Sequence, residues 1–452
     1  MDYPFEPFKI KSVEPIYFTT REEREKILKD AGYNLFFVKS KYITVDLLTD
    51  SGTGSMSQFQ WAAMMKGDES YAGASSFDRF EEAVRKYTGK KIVIPTHQGR
   101  AAEKIISHVI FSGEGGKIAV SNTFFDTTRA NFQYGGAKLF DLPSPESRDI
   151  FSDKMFKGNI DLERLEYLLK KEGQKIKLIT MTVTNNTAGG QPVSIENIKA
   201  VRNLADKYGV LLHIDACRVS ENSYFVKKYE SGYADKSIAD IVRETLSFAD
   251  IVTMSAKKDG LVNIGGYIAT DDEDLALKFK EMLILWEGFP TYGGLAGRDL
   301  DAIAVGLMES LDEDYLEYRI SQVRYLGEGF KQAGIPVLWP TGGHAVYVEA
   351  ARFLPHIKRE NFPGQALVVA LYLEGGIRTA EIGSLMFGRD TDVEHEFVRF
   401  AIPRRVYTRS HLDFVIDVMK NLSDGKAKIR GLEIEYEPPF LRHFLVRMRP
   451  VE

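Results

Sequence analysis

Residues 247–270 read SFADIVTMSAKKDGLVNIGGYIAT. Ile251, Val252 and Met254 make a short, mostly apolar strand that runs into Ser255 and the adjacent Lys257 and Lys258, and Gly260, Gly265 and Gly266 lead into a second strand. Neighbouring side chains of extended backbone point to opposite sides, so an extended exit sends one lysine into a cleft and the other elsewhere. A desolvated lysine amine loses its proton more easily and can add to a carbonyl as a Schiff base. A solvated basic turn is the plain alternative, and only the company of the pair can separate the two.

That company lies upstream. Val210, Leu211, Leu212 and Ile214 read as a buried parallel strand whose exit carries Asp215 and Arg218. One strand earlier, Ile176, Leu178, Ile179, Met181 and Val183 run into TNNTAGGQPVS at 184–194, with Asn186 in the turn. Successive strand exits thus present an amide, an acid and a lysine, and the carboxyl edge of an open parallel sheet is where ligands bind. A carboxylate there can hold the protonated nitrogen of a pyridine ring, the electron sink of pyridoxal phosphate chemistry.

Residues 91–95 predict another short strand, feeding THQGRAAEKIISHVIF, where Ala101, Ala102, Ile105, Ile106 and Val109 predict a helix starting near Gly99 or Arg100. A strand, a glycine-containing turn and a helix N-terminus make a phosphate cradle, with Gln98 and Arg100 supplementing the backbone N–H groups and Ser255 adding a hydroxyl. No GxGxxG or GxxxxGK[ST] follows a suitable strand, so a nucleotide is the less economical phosphate ligand.

The 452 residues, 44% hydrophobic, suffice for substantial cores and predict two domains. The expected boundaries are 1–56 for an arm and part of the small domain, 57–311 for the large domain and 312–452 for the rest of the small one. Helices are expected at 21–31, 59–65, 77–87, 162–170, 237–245, 274–285, 300–311, 365–373 and 412–422, with one begun by Ser194 and a long one from Asp312. Residues 140–159 read as a polar connection. Alternation of strand, helix and strand points to an α/β domain.

A formal net charge of −5 offers no long-range attraction to nucleic acid or an anionic membrane. The apolar run ALVVALYL at 366–373 is too short to cross a bilayer and reads as a buried helix. Asp2, Glu6 and Lys9 interrupt the N-terminal apolar residues, unlike an export signal, so the cytoplasm is the expected location. The single Cys217 excludes an intrachain disulfide and is expected to be a packed small residue, and the eight histidines are too scattered to form a metal site.

THQGR at 96–100, TNNTAGGQPVS at 184–194, DACR at 215–218, SAKKD at 255–259, EGFPTYGGL at 287–295 and IPRRVYT at 402–408 together resemble the β-eliminating lyases of aromatic amino acids. The likeness runs from YPFEPFKIKSVE at 3–14 to YEPPFLRHF at 436–444. It implies an α/β, pyridoxal phosphate-dependent, aspartate-aminotransferase-like fold (fold type I), with a large domain built on a mainly parallel sheet and a smaller α+β domain. Lys258 is then the Schiff-base lysine and Lys257 an accessory charge, with Asp215 at the pyridine nitrogen and Asn186 and Arg218 at the phenolic oxygen. Gln98, Gly99, Arg100 and Ser255 hold the phosphate, and Phe125 stacks on the ring.

The resemblance further places Thr49 and Ser51 against the substrate carboxylate or the cofactor, and has Arg404, rather than Arg405, fork onto that carboxylate. Tyr71 is the implied proton donor to the leaving ring, and Tyr292 reaches a neighbouring active site. Potassium or another monovalent cation is implied near Gly52, Glu69 and Asn263, Glu69 acting through its carboxylate or its backbone carbonyl. The implied assembly is a homotetramer with active sites at dimer interfaces.

Three positions bear on the substrate. Position 126 is aspartate in the tryptophanases of the family and threonine in its tyrosine phenol-lyases, and Asp126 can meet an indole N–H. His443 stands where the phenol-lyases carry phenylalanine, and Ile382 where they carry the arginine that holds a phenolic oxygen. The expected substrate is therefore L-tryptophan, cleaved to indole, pyruvate and ammonia, with Asp126 and His443 organising the indole. The alternatives are a tyrosine phenol-lyase or broader aromatic β-lyase, an aminotransferase of the same fold, or a scaffold without catalysis.

Overall fold

The structure, a computed structural model, describes residues 5–113, 115–388, 394–438 and 442–451; parts of the stretches 3–14 and 436–444 read above lie outside them. The chain divides into one compact unit of Ser51–Ile320 and another of Met1–Asp50 with Ser321–Glu452. The second division falls within the helix Glu313–Gln332.

The larger unit is organised by seven strands: β1 (Ile92–Thr96), β2 (Ile118–Ser121), β3 (Lys138–Asp141), β4 (Ile176–Thr182), β5 (Leu211–Asp215), β6 (Ile251–Ser255) and β7 (Gly266–Thr270). Their order is β3-β2-β4-β5-β6-β7-β1; β7 runs antiparallel to both of its neighbours and the other pairs are parallel. Strands β6 and β7 are buried at every position, as their near-continuous apolar runs require of strands covered on both faces. One core joins Ile94, Ala119, Leu178, Ile251 and Ile268 of the sheet to Ala102, Ile105 and Ile106 of the helix Gly99–Phe111 and to Phe279 and Leu283 of the helix Glu273–Trp286.

Local chemistry sets the helix ends. Ser194 accepts from the Asn197 N–H at 3.2 Å to start Ile195–Tyr208, and Gly209, at φ +65°, stops it in the left-handed region. Among the described residues of the larger unit, two α-helices escaped the sequence reading: Asp126–Tyr134, whose DTTRANFQY is mostly polar, and Val219–Tyr229. The polar connection expected from Phe140 begins too early, because Phe140 belongs to edge strand β3. That strand pairs only with β2 and stays half-exposed, so its sequence lacks the apolar run of a central strand.

The smaller unit contains a three-stranded antiparallel sheet of Ala380–Ile382, Phe397–Ala401 and Ala345–Glu349. Val45–Asp46 pairs in parallel with Ile377–Arg378, and the Ala401 N–H donates to Leu47 O at 2.9 Å, which seats residues 45–50 in this unit. The helix Pro363–Gly375 contains the run 366–373, buried except at Leu373. Among the described residues, no helix is long and apolar enough to cross a membrane.

In the larger unit, Arg319 Nε meets Glu221 Oε1 at 3.0 Å with both side chains at 0% exposure. Arg319→Ala removes the cation paired with this buried carboxylate and is expected to cost about 3–5 kcal/mol, read as a lowered urea midpoint; a midpoint within error of the parent contradicts this.

Candidate active site

Parallel pairing places the exits of β4, β5 and β6 side by side, Thr182 opposite Asp215 and Asp215 opposite Thr253. Asn186 follows β4 and is buried, whereas its neighbour Asn185 is spent on the turn, accepting from the Thr123 hydroxyl at 2.5 Å and from the Ala188 N–H at 3.3 Å. Asp215 ends β5, and one of its oxygens accepts from the Cys217 N–H at 3.1 Å. Arg218 is buried, its N–H donating to Val183 O at 3.1 Å. Cys217 Sγ accepts from the Ser255 N–H at 3.2 Å, and burial pushes its thiol far up, which makes it packing rather than a nucleophile.

Lys257 and Lys258 lie in a turn after β6, not in the extended exit expected from sequence. The turn is closed by Lys258 N–H to Ser255 O at 3.3 Å and Leu261 N–H to Lys258 O at 2.9 Å. Turn geometry, rather than strand alternation, therefore separates the two side chains. Burial, then the charges of Lys258 and Arg100, push the Lys257 amine down.

The cradle stands against this turn. Gln98 precedes the helix Gly99–Phe111 without capping it by its side chain. A Cβ on Gly99 would stand 2.7 Å from Ser255 Cβ, and one on Gly266 only 3.1 Å from Gly99 N, so the helix start can sit here only on glycine. Gln98, Gly99, Arg100 and Ser255 are thereby brought to one place, with Lys258 and Arg100 each near enough to repel Lys257. A phosphate would relieve that repulsion, so these residues fit the phosphate of the implied cofactor.

Phe124 is core, 1% exposed and edge-on to Phe132 at 5.9 Å, while Phe125 stays half-buried at the start of the helix Asp126–Tyr134. Asp126 accepts from the Thr127 N–H at 2.6 Å. Tyr71 is 68% exposed and clusters with Tyr292 (5.3 Å between ring centres) and Phe289 (5.7 Å). Its hydrogen bond to Tyr292 raises its pKa, which keeps the phenol protonated.

The three implied cation residues divide into two groups. Gly52 sits on the lysine turn, its N–H donating to Lys257 O at 2.8 Å, and its carbonyl accepts from Asn263 Nδ2 at 2.9 Å. Glu69 belongs elsewhere: its carboxylate caps the helix Gly297–Glu309 through the Gly297 N–H at 2.7 Å and the Arg298 N–H at 3.2 Å. Among the described residues, no three His, Cys, Asp or Glu side chains gather as metal ligands.

In the smaller unit, Arg404 is 2% exposed and its Nη1 meets Asp50 Oδ2 at 2.9 Å and Asp50 O at 3.2 Å. Asp50 is the partner that sequence did not single out, although it lies in the same turn as Thr49 and Ser51. Ile382 is buried at the end of its strand. Beside it, the Glu381 carboxylate accepts from the Leu385 and Met386 N–H groups at 3.0 and 3.1 Å, and burial, then Glu396, push it up to about 8. His443 clusters with Phe36 and Phe444, pushed down to about 4 by burial and then by Arg399 and Arg442, and is neutral at pH 7.

Glu103 also went unnoticed in the sequence. It accepts from Thr128 Oγ1 at 2.8 Å and Asn131 Nδ2 at 3.2 Å, and burial, then the charge of Asp215, push it up to about 6. A carboxylate within an amphipathic helix pattern gives no sign of burial.

With this geometry in view, a family model described as "Beta-eliminating lyase" matches residues 46–418. The chain belongs to the β-eliminating lyase family. Similar family members include a tryptophanase of Salinibacter ruber, 55% identical over 100% of this chain and 96% of its own length. A tryptophanase of Hyphomonas neptunium is 53% identical over 97% of both chains. A tyrosine phenol-lyase of Intrasporangium calvum is 49% identical over 99% of this chain and 95% of its own. Among solved structures, serine palmitoyltransferase from S. paucimobilis, crystallised with a pyridoxal phosphate adduct, shares the fold at TM-score 0.59 and 15% identity, covering 90% of this chain and 97% of its own. This β-eliminating lyase thus has the fold of type I pyridoxal phosphate enzymes.

One pH dependence follows from His213, held between Thr180 Oγ1 at 3.2 Å and Thr253 Oγ1 at 2.8 Å. Burial pushes it down to about 4 against the pull of Asp215. Between pH ~6.5, the ordinary imidazole value, and about 4, the unfolded chain binds the extra proton, so stability is full above that window and falls as pH drops through it. His213→Gln is expected to flatten the fall in urea midpoint between these values; an unchanged slope contradicts the assignment.

Proposed function

We propose that the protein is a cytoplasmic, pyridoxal phosphate-dependent carbon–carbon lyase of the aspartate-aminotransferase-like type that converts L-tryptophan and water to indole, pyruvate and ammonia. The observation that carries this is the shared edge of β4, β5 and β6, where Asn186, Asp215 with Arg218, and Lys258 leave neighbouring strands beside the Gly99 cradle. When bound, pyridoxal phosphate supplies the electron sink for the substrate's α-carbon. Gln98, Gly99, Arg100 and Ser255 would hold its phosphate, Asp215 would keep the ring nitrogen protonated, Asn186 and Arg218 would hold its phenolic oxygen, and Phe125 would pack on the ring.

Lys258 would hold the cofactor through Nζ, and its amine would take the substrate's α-proton. Arg404, held by Asp50, forks onto the substrate carboxylate with Thr49 and Ser51 nearby. Tyr71, kept protonated, donates to indole C3. Asp126 accepts from the indole N–H, neutral His443 supports that polar network, and Ile382 gives apolar contact where a phenolate would need a cation.

The reading includes a homotetramer in which the exposed Tyr71 and Tyr292 serve a neighbouring site, and a potassium ion on oxygens of Gly52, Asn263 and Glu69. The adjacency of Gly52 and Asn263, and the Glu69 carboxylate spent on its helix cap, support carbonyl coordination.

Indole or phenol measured together with pyruvate, from separate L-tryptophan and L-tyrosine reactions with saturating cofactor and potassium, tests the substrate. A kcat/KM preference for tryptophan of at least roughly 100-fold, or about 2.7 kcal/mol, is expected. Equal efficiencies or a tyrosine preference would overturn the choice of indole, and recovery of the cofactor's amine form with a keto-acid requirement would mark an aminotransferase. Asp126→Ala should depress tryptophan cleavage more than cleavage of a substrate with a good non-aromatic leaving group. Potassium should raise activity above an equal ionic strength of tetramethylammonium; full activity in monomeric, metal-free protein contradicts the cation and assembly reading.

A further inference from the structure

One contact beside the cradle has no role in the scheme above. Glu287 closes on His97 Nδ1, its side chain only 10% exposed, and the same carboxylate oxygen accepts from the His97 backbone N–H at 3.3 Å. On the other side of the ring, His97 Nε2 lies 2.8 Å from Gln98 Nε2. One tautomer satisfies both contacts: Nδ1–H donates to the carboxylate, and Nε2 presents a lone pair to the Gln98 amide N–H.

This fixes which end of the Gln98 carboxamide faces His97 and leaves the second Nε2 hydrogen for another acceptor. Without the imidazole, the amide is free to turn its oxygen toward an anion and repel it. The relay is seated on rigid backbone. The Gly265 N–H donates to His97 O at 2.8 Å, and a Cβ on Gly293, at φ +55°, would stand 2.0 Å from Pro95 O, which ties the loop of Glu287 to the end of β1.

We propose that His97, oriented by Glu287, is a positioning residue for phosphate binding: it aims the amide of Gln98 into the cradle. The inference rests on the cofactor reading above and deepens it, because Glu287 belongs to the loop that carries Tyr292 and so connects the aromatic cluster to the cradle.

The test is equilibrium binding of pyridoxal phosphate and of phosphate-free pyridoxal to the apoprotein. His97→Ala is expected to weaken pyridoxal phosphate by about tenfold and leave pyridoxal nearly unchanged, because only a hydrogen bond to the charged group is lost. Glu287→Gln, which keeps the shape of the side chain, should shift affinity the same way by less and carries the test if His97→Ala fails to fold. His97→Ala added to Gln98→Ala should weaken binding no further than Gln98→Ala alone. Equal losses for both ligands, unchanged affinity for pyridoxal phosphate, or additive losses in the double variant would overturn the proposal. A parent protein that does not prefer pyridoxal phosphate over pyridoxal would instead overturn the cofactor reading on which it rests.

Discussion

Everything at the site depends on how closely the start of the helix Gly99–Phe111 comes down on the end of β6. With 2.7 Å between a hypothetical Gly99 Cβ and Ser255 Cβ, no side chain fits, and the helix N–H groups, the Ser255 hydroxyl and the lysine turn share one small region because of it. The parallel run of β4, β5 and β6 then delivers Asn186, Asp215 and Lys258 to the same edge. A single methyl at position 99 would separate the anion site from the amine.

The charges at that edge are balanced for an occupied site. Lys258 and Arg100 each repel Lys257, and burial already pushes its amine down. Asp215 stands among groups that answer to it: Glu103 is pushed up to about 6 partly by its charge, and His213 is kept neutral by burial despite its pull. The smaller unit solves its own problem differently. Arg404 is buried with Asp50 as counter-ion, whose attraction holds the guanidinium in place and offsets part of the desolvation cost of burying it.

Much of this was readable before any coordinates. The apolar runs of β4, β5 and β6, each ending in a polar residue, were sufficient to order the functional strands, and the spacing of Ala101, Ile105 and Ile106 put the helix start near Gly99 or Arg100. What the sequence hid were features without a one-dimensional signature. Edge strand β3 and the helix Asp126–Tyr134 have weak apolar patterns, and the lysine pair occupies a turn whose closing hydrogen bonds no motif announces. The partnerships of Asp50 with Arg404 and of Glu287 with His97 join residues 354 and 190 positions apart, and only the fold pairs them.

The central claim is that Lys258, and not its neighbour, is the amine this architecture presents to the cofactor. Borohydride reduction of the pyridoxal phosphate-loaded protein, followed by proteolysis and mass mapping of the lysine turn, tests it most directly. A stable pyridoxyl group on Lys258 is the expected result; the group on Lys257, or no adduct after loading, would contradict it.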